Sequence, residues 1–370
     1  MKALKLLLIL LMTTSLGFAQ DIKIYVSDAA GFNVGPWFIF QYDEDGSNPI
    51  TFIDEELGWP QDILFLPSRN EVLVSNLTTN RITKYVGSTG EYIEDFAEVA
   101  GGPTRMLLGD DGLIYLVQWS TTDNKIKRYD VEGNFVDEFT NNGVPRSVGI
   151  AWDSAGNLYG ASFGGAFVQQ FDANGIDQGM YVNTELQGPT NIWFDDSDNL
   201  FVIDWSSGDV EQFDASANYV GKFITGLGQP EGVDFRSNGN ILIGNGTTSE
   251  VKEYLADGTF VENVVTAGSG GLTRPNAVIL FDRSTLSVPE NDRHTVFVTP
   301  TVGDRFTINP KLLHDFQILN IYSLNGQLME SIDLTVTDTL KAAGYAEGVY
   351  FIVAEEKGRK FTQKIVVDRN

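Results

Sequence analysis

The sequence contains no cysteine, and only two of its 370 residues are histidine. Without cysteine there can be no disulfide, no thiolate metal site and no cysteine nucleophile. Both histidines, His294 and His314, lie close to the C-terminus. The long stretch before them has none, which removes a serine–histidine–aspartate arrangement, a histidine-ligated zinc and a histidine-based lyase from that stretch. Basic residues are also scarce, with 25 Lys and Arg against 50 Asp and Glu and a net charge of −25. A chain of that sign does not bind nucleic acid by counterion release and is repelled from anionic lipid. No P-loop and no dinucleotide-binding glycine motif runs from a strand into a helix. Beyond the first twenty residues no apolar run approaches the length of a membrane span, so no integral membrane segment is expected.

What is present favours a packed β protein. Hydrophobic residues make up 42% and charged residues 20%, which supports a core and argues against wholesale disorder. The 24 Phe and 13 Tyr lean towards strands. The N-terminus has the form of an export signal: Lys2 and Lys5, then the apolar run Leu6 to Met12, then Gly17-Phe18-Ala19. Small residues at −3 and −1 place cleavage after Ala19, so residues 1–19 are read as a signal peptide. The run is shorter than the roughly 20 residues of a membrane anchor.

A repeat dominates the middle of the chain. Prolines recur ahead of alternating apolar runs at Pro60, Pro103, Pro145, Pro189, Pro230 and Pro275. Aromatics close short strands at Tyr42, Tyr85, Tyr129, Phe171, Phe213 and Tyr254. A third ladder marks turns at Gly46, Gly90, Gly133, Gly175, Ala217 and Gly258. A period of about 40–45 residues holding several short strands is the signature of propeller blades. The ladders are offset: the aromatic one starts before the first proline, and the proline one ends after the last aromatic. The N-terminus is therefore expected to supply three strands near residues 22–27, 37–42 and 50–53 of a blade whose innermost strand is 276–281. Counting that shared blade gives six, and joining both ends in one blade hides the free edges.

The units resemble NHL repeats, through Pro230-Glu231-Gly232-Val233, Gly156-Asn157-Leu158-Tyr159 and Asn80-Arg81-Ile82-Thr83-Lys84-Tyr85. The resemblance implies a six-bladed β-propeller over residues 20–285. The same shape recurs in senescence-marker and gluconolactonase-like enzymes, so it spans several activities.

After Phe281 the period breaks. Residues 286–293 read as a polar linker, and residues 294–370 as a small antiparallel β-sandwich. The propeller stretch from Gln20 carries 39 acids and 14 bases, whereas the tail from Ser287 carries 11 and 9. The tail resembles the type A C-terminal sorting domain of the type IX secretion system. Ile321-Tyr322-Ser323-Leu324-Asn325-Gly326-Gln327-Leu328 carries its strand–turn–strand motif, with Asn325-Gly326 suited to positive φ. Gly348-Val349-Tyr350-Phe351-Ile352-Val353 and Lys364-Ile365-Val366-Val367 carry its closing hairpin. The usual opening is replaced by Thr299-Pro300-Thr301. The resemblance implies handling by the type IX secretion machinery, passage through the periplasm to the outer surface or medium of a Bacteroidota-like bacterium, and removal of the tail near the linker.

Candidate chemistry lies on one face of the propeller, where loops from all blades meet the central channel. Aligned ladders put one polar residue at the end of each second strand: Asp28, Asn76, Gln118, Ser162, Asp204 and Asn245. Short polar side chains at such positions also serve to satisfy loop N–H groups. Aromatics follow in three successive blades, Trp119, Phe163 and Trp205. Just after each proline come Gln61, Thr104, Arg146, Thr190, Glu231 and Asn276, with Arg105 and Trp59 nearby. Trp119, Phe163, Trp205, Asp28, Asp204, Arg146 and Glu231 are the candidate ligand-binding residues, a mix that suits a sugar or another small polar ligand. An acidic channel could also hold Ca²⁺ as a cofactor, on Glu231, Asp204 and Asn276, with Asp28 and Asn191 as further oxygen donors. Gluconolactonase-like propellers use a Glu/Asn/Asp set there, but their full local motifs are absent. Asp195-Asp196-Ser197-Asp198-Asn199 resembles a calcium loop but occupies a hairpin slot and lacks the glycine and distal glutamate of an EF-hand. Two readings stay open: a recognition or scaffold propeller for a glycan, peptide or small polar ligand, and a calcium-dependent hydrolase or lactonase. The catalytic residues of the second reading are not identifiable in the sequence.

Overall fold

The computed structural model describes residues 20–286, 297–309, 316, 318–334, 339–342, 344–356 and 359–369. The expected signal peptide, nearly all of the expected linker and both histidines lie outside the described residues. No α-helix occurs among the described residues, and none is long and apolar enough to cross a membrane. The chain divides into two compact units, Met1–Ser287 and Val288–Asn370.

Between Ile22 and Asp282 the first unit folds into six four-stranded antiparallel sheets. Their innermost strands are Pro60–Leu66, Pro103–Leu108, Ser147–Trp152, Pro189–Phe194, Pro230–Phe235 and Pro275–Asp282. Each touches the next, and the last touches the first, so the sheets close a ring. This is a β-propeller. Second strands such as Leu200–Asp204 are buried along their whole length, because neighbouring sheets cover both faces. Outer strands such as Tyr219–Ile224 are mostly exposed. The core lies between sheets: Tyr159, Val168 and Val182 of one pack against Leu200, Val202 and Phe213 of the next.

The ring closes as the offset ladders imply. Pro275–Asp282 pairs antiparallel with Ile22–Asp28, in the register Tyr25↔Ile279 and Val26↔Val278. Phe38–Asp43 and Ile50–Ile53 complete that sheet. All six ladder aromatics are buried. All six ladder turn residues have positive φ, Ala217 included at 63°. At Gly90 a Cβ would come within 2.0 Å of the Phe52 carbonyl oxygen on the preceding sheet, so close docking of the turn as well as its backbone angle demands glycine. The Asp195 segment is a hairpin turn: its Oδ1 accepts from the Ser197 and Asn199 N–H groups, both at 2.9 Å.

One ladder position shifts. Ser147 pairs with Ser162 as Pro103 pairs with Gln118, so Ser147 holds the place that proline takes in the other sheets. Pro145 stands two residues early. Arg146 is therefore not equivalent to Glu231 or Asn276. It occupies the slot before the strand, shared with Trp59, Gly102, Gly188, Gln229 and Arg274. The carbonyls of these six accept from the N–H groups of Phe163, Leu77, Trp119, Trp205, Gly246 and Ala29 respectively.

The second unit has two sheets around one core. Val298–Thr299, Arg305–Ile308 and Thr339–Lys341 form one sheet. Val302–Gly303, Arg359–Val367, Gly348–Glu356, Ile318–Ser323 and Leu328–Asp333 form the other. Phe306 and Leu340 from the first share a cluster with Leu319, Ile321, Ile352 and Ile365 from the second. The sandwich is not wholly antiparallel, since Val302–Gly303 runs parallel to Arg359–Val367. In the hairpin turn Gly326 alone has positive φ, at 80°; Asn325 does not. The Ser323 hydroxyl donates to Asn325 Oδ1 instead, so a side-chain contact supports the turn. Gly348 opens the closing hairpin at φ 152°, and Tyr350 is buried, donating to the Ala346 carbonyl.

Candidate functional site

The strand-end ring is spent on the loops. Asp28 Oδ1 accepts from the Ala30 and Arg274 N–H groups, and Oδ2 from Thr273 N–H. Asp204 accepts from four backbone N–H groups, those of Gln187, Gly188, Ser206 and Ser207. Asn76 and Asn245 accept from Gly58 and Gly228, and Ser162 from Gly165. Each ties a loop to its strand, and all are buried. Gln118 differs: its amide donates to the Lys125 carbonyl, while Oε1 is buried and unpartnered. It begins the stretch from Trp119 to Ile126, twice the length of the loop 205–208 between the equivalent strands.

Deeper in the channel the innermost strands bring charges together. Arg105 is 4% exposed and reaches across three sheets. Its Nε donates to Asn191 Oδ1 at 3.0 Å, and its Nη2 to Glu231 Oε1 and the Asn276 carbonyl, both at 3.1 Å. Asp62 Oδ1 stands 3.9 Å from Nη1. With its amide turned so that both ends are satisfied, Gln61 donates to Glu231 Oε1 and accepts from Trp59 Nε1 and Asn276 Nδ2. Burial raises the Glu231 carboxyl to about 7, against the opposing pull of Arg105. Burial likewise raises Asp62, and raises Asp234 to about 6. A cavity of about 170 Å³ is lined by Arg105, Asp62 and Asn191 together with Trp193, Phe235 and Ile279.

The aromatics do meet. Trp119 and Phe163 have ring centroids 5.4 Å apart, and Phe163 and Trp205 5.9 Å. All three are half-buried. The Arg146 guanidinium lies 6.0 Å from the Trp119 ring centre. A second group holds Phe32 and Trp59, 4.9 Å apart, with the Arg274 guanidinium 4.1 Å from the Phe32 ring centre. Phe32 and Arg274 escaped the sequence reading. The signal for Arg274 in the sequence is that it directly precedes a ladder proline, Pro275. Phe32 sits in the irregular segment between Ile22–Asp28 and Phe38–Asp43, where no ladder reaches.

The structure separates the expected binding residues into three sets. Trp119, Phe163, Trp205 and Arg146 share the rim, Asp28 and Asp204 clamp loops, and Glu231 sits in the buried network. It likewise divides the calcium set. Glu231, Asn191 and Asn276 converge on the Arg105 guanidinium, which already supplies the positive charge. Asp204 is occupied by N–H donors elsewhere. Among the described residues no three acidic or histidine side chains are placed to hold a metal ion. These residues do not fit a calcium site.

Residues 297–368 match the family described as the secretion system C-terminal sorting domain. Among solved structures, the nidogen/laminin complex matches at 15% identity with a TM-score of 0.57, covering 71% of this chain and 98% of that one. A protein of unknown function from Bacteroides caccae matches at 15% identity and TM-score 0.54, covering 70% of this chain and 99% of that one. A putative gluconolactonase matches at 16% identity and TM-score 0.49, covering 57% and 79%, too weak a likeness to bear on activity. No curated protein matches the sequence. The chain is a β-propeller followed by a C-terminal sorting domain of the secretion family, which marks export through the type IX system to the cell surface or the extracellular space.

Proposed function

We propose that the exported propeller is a recognition module that binds a glycan, peptide or small polar ligand on its aromatic rim. One observation carries this reading: the strand-end polar ring is consumed by loop N–H groups, while Trp119, Phe163 and Trp205 form a run of half-exposed rings on successive sheets. Stacking surfaces gathered from several sheets can act on one ligand. In the mature form of a six-bladed propeller, the signal peptide is cleaved after Ala19 and the tail is removed near residues 286–293.

Two experiments test this. Trp119→Ala/Trp205→Ala should lose retention on a glycan or peptide array with little change in melting. Unchanged retention would sink the rim as the binding face. The intact mass of the protein recovered from its native host should lack the sorting domain. A mass that retains Lys364 to Asn370 would contradict the processing.

A further inference from the structure

The rim carries two cations that the rest of this acidic domain does not use. Of the 14 Lys and Arg between Gln20 and Leu286, 11 form ion pairs with carboxylates. Of these 14 only Arg146, Arg274 and Arg283 lack such a partner, and Arg283 donates to Gln41 Oε1 and the Ser88 carbonyl instead. Arg146 and Arg274 lie over aromatic rings. Where acids outnumber bases this strongly, a guanidinium without a carboxylate is a conspicuous exception.

Both side chains are seated alike. Arg146 passes over Gly164, where a Cβ would come within 2.6 Å of its Cδ. Arg274 passes Gly246, where a Cβ would stand 3.3 Å from its Cγ. Each thus has a glycine beneath it and an aromatic ring beside it. The two also occupy the same backbone slot, third and sixth in the cycle Trp59, Gly102, Arg146, Gly188, Gln229, Arg274. In a closed ring of six sheets those positions face each other across the channel mouth.

We propose that the rim binds a carboxylated oligosaccharide laid across the channel mouth, with sugar faces on the aromatics and carboxylates on Arg146 and Arg274. This rests on the reading of the rim as the binding face. A planar guanidinium grips a carboxylate through two parallel hydrogen bonds, and an aromatic neighbour holds its plane. The domain's net negative charge repels such a ligand at long range, but screening confines that repulsion to about 8–10 Å at physiological ionic strength. Selectivity then rests on the two local cations.

The test compares oligogalacturonate with its fully methyl-esterified form, titrated into the full chain by calorimetry. The acid form should bind at least about tenfold more tightly, and Arg146→Gln/Arg274→Gln should erase that preference with an unchanged melt. Glutamine suits the left-handed backbone at Arg146, φ 50°, since Gln229 holds the same slot at φ 52°, and Arg274 has no positive φ to accommodate. Equal binding of acid and ester, lost in Trp119→Ala/Trp205→Ala, would overturn the carboxylate preference while leaving the rim as the binding face. Binding of the acid form that survives the aromatic double variant would overturn the rim itself. No binding of either form would overturn the carboxylated-sugar proposal.

Discussion

The channel neck and the rim are built from the same innermost strands and the loops next to them, yet they do opposite things. At the neck most polar groups point at one another: Arg105 binds Asn191, Glu231 and the Asn276 carbonyl, Gln61 joins Glu231 to Trp59, and Arg105 Nη1, 3.9 Å from Asp62, lacks a hydrogen bond. At the rim, the rings and Arg274 are half-buried, Arg146 is exposed, and the groups meet one another by face and edge contacts. The difference teaches that a ring of polar residues around a propeller channel is not by itself a ligand site. Buried polar groups tend to be satisfied, and here nearly all of the ring and neck groups satisfy one another or the loops, Gln118 Oε1 and Arg105 Nη1 being the exceptions. What remains open to a partner is the aromatic layer.

The largest expected effect concerns the ring that both regions stand on. Deleting residues 21–53 leaves Pro275–Asp282 without its partner strand, and the shortened protein should show no cooperative melt. An unchanged melt would mean that the pairing does not hold the ring shut.

Next comes the neck. Arg105→Met leaves Glu231 buried without its cation and should lower stability by about 3–5 kcal/mol, measured by denaturant unfolding. Adding Glu231→Gln should restore part of the loss, because a neutral amide needs no counter-charge. A single variant as stable as the parent would show that the network contributes little.

A smaller effect is the response to pH. The Glu231 carboxyl lies at about 7 in the fold against an ordinary 4.5, and Asp234 at about 6 against 3.8. The folded state holds these protons more tightly than the unfolded chain. Their contribution is therefore full below about pH 4 and is lost as pH rises towards 7. Thermal melts from pH 4 to 8 should fall across that window, and Glu231→Gln should flatten part of the slope. A variant with the parent's slope would remove Glu231 as a cause.

Much of the fold was legible in the sequence because its determinants are local and repeated. A turn that needs positive φ selects glycine six sheets over, with Ala217 the one departure, and an aromatic that fills the gap between sheets returns at the same interval. The offset of two ladders encoded even the closing sheet. The site was less legible. Asp28 and Asp204 look alike whether they face a ligand or a loop N–H group, since both uses call for a short acceptor at a strand end. Pro145 breaks phase and Ser147 takes its place, so alignment on the prolines puts Arg146 two positions from its true slot. The Arg105 network joins sheets far apart in sequence, so no local pattern announces it.

The measurement that bears most directly on the division between neck and rim is a crossed one, made on Arg105→Met and Trp119→Ala/Trp205→Ala side by side, with melting and ligand retention recorded for each. The account predicts that Arg105→Met melts lower while its folded fraction still binds, and that the aromatic double variant melts close to the parent, within about 1–2 kcal/mol of lost ring contact, but no longer binds. An aromatic variant that loses as much stability as Arg105→Met and keeps its ligand would contradict it.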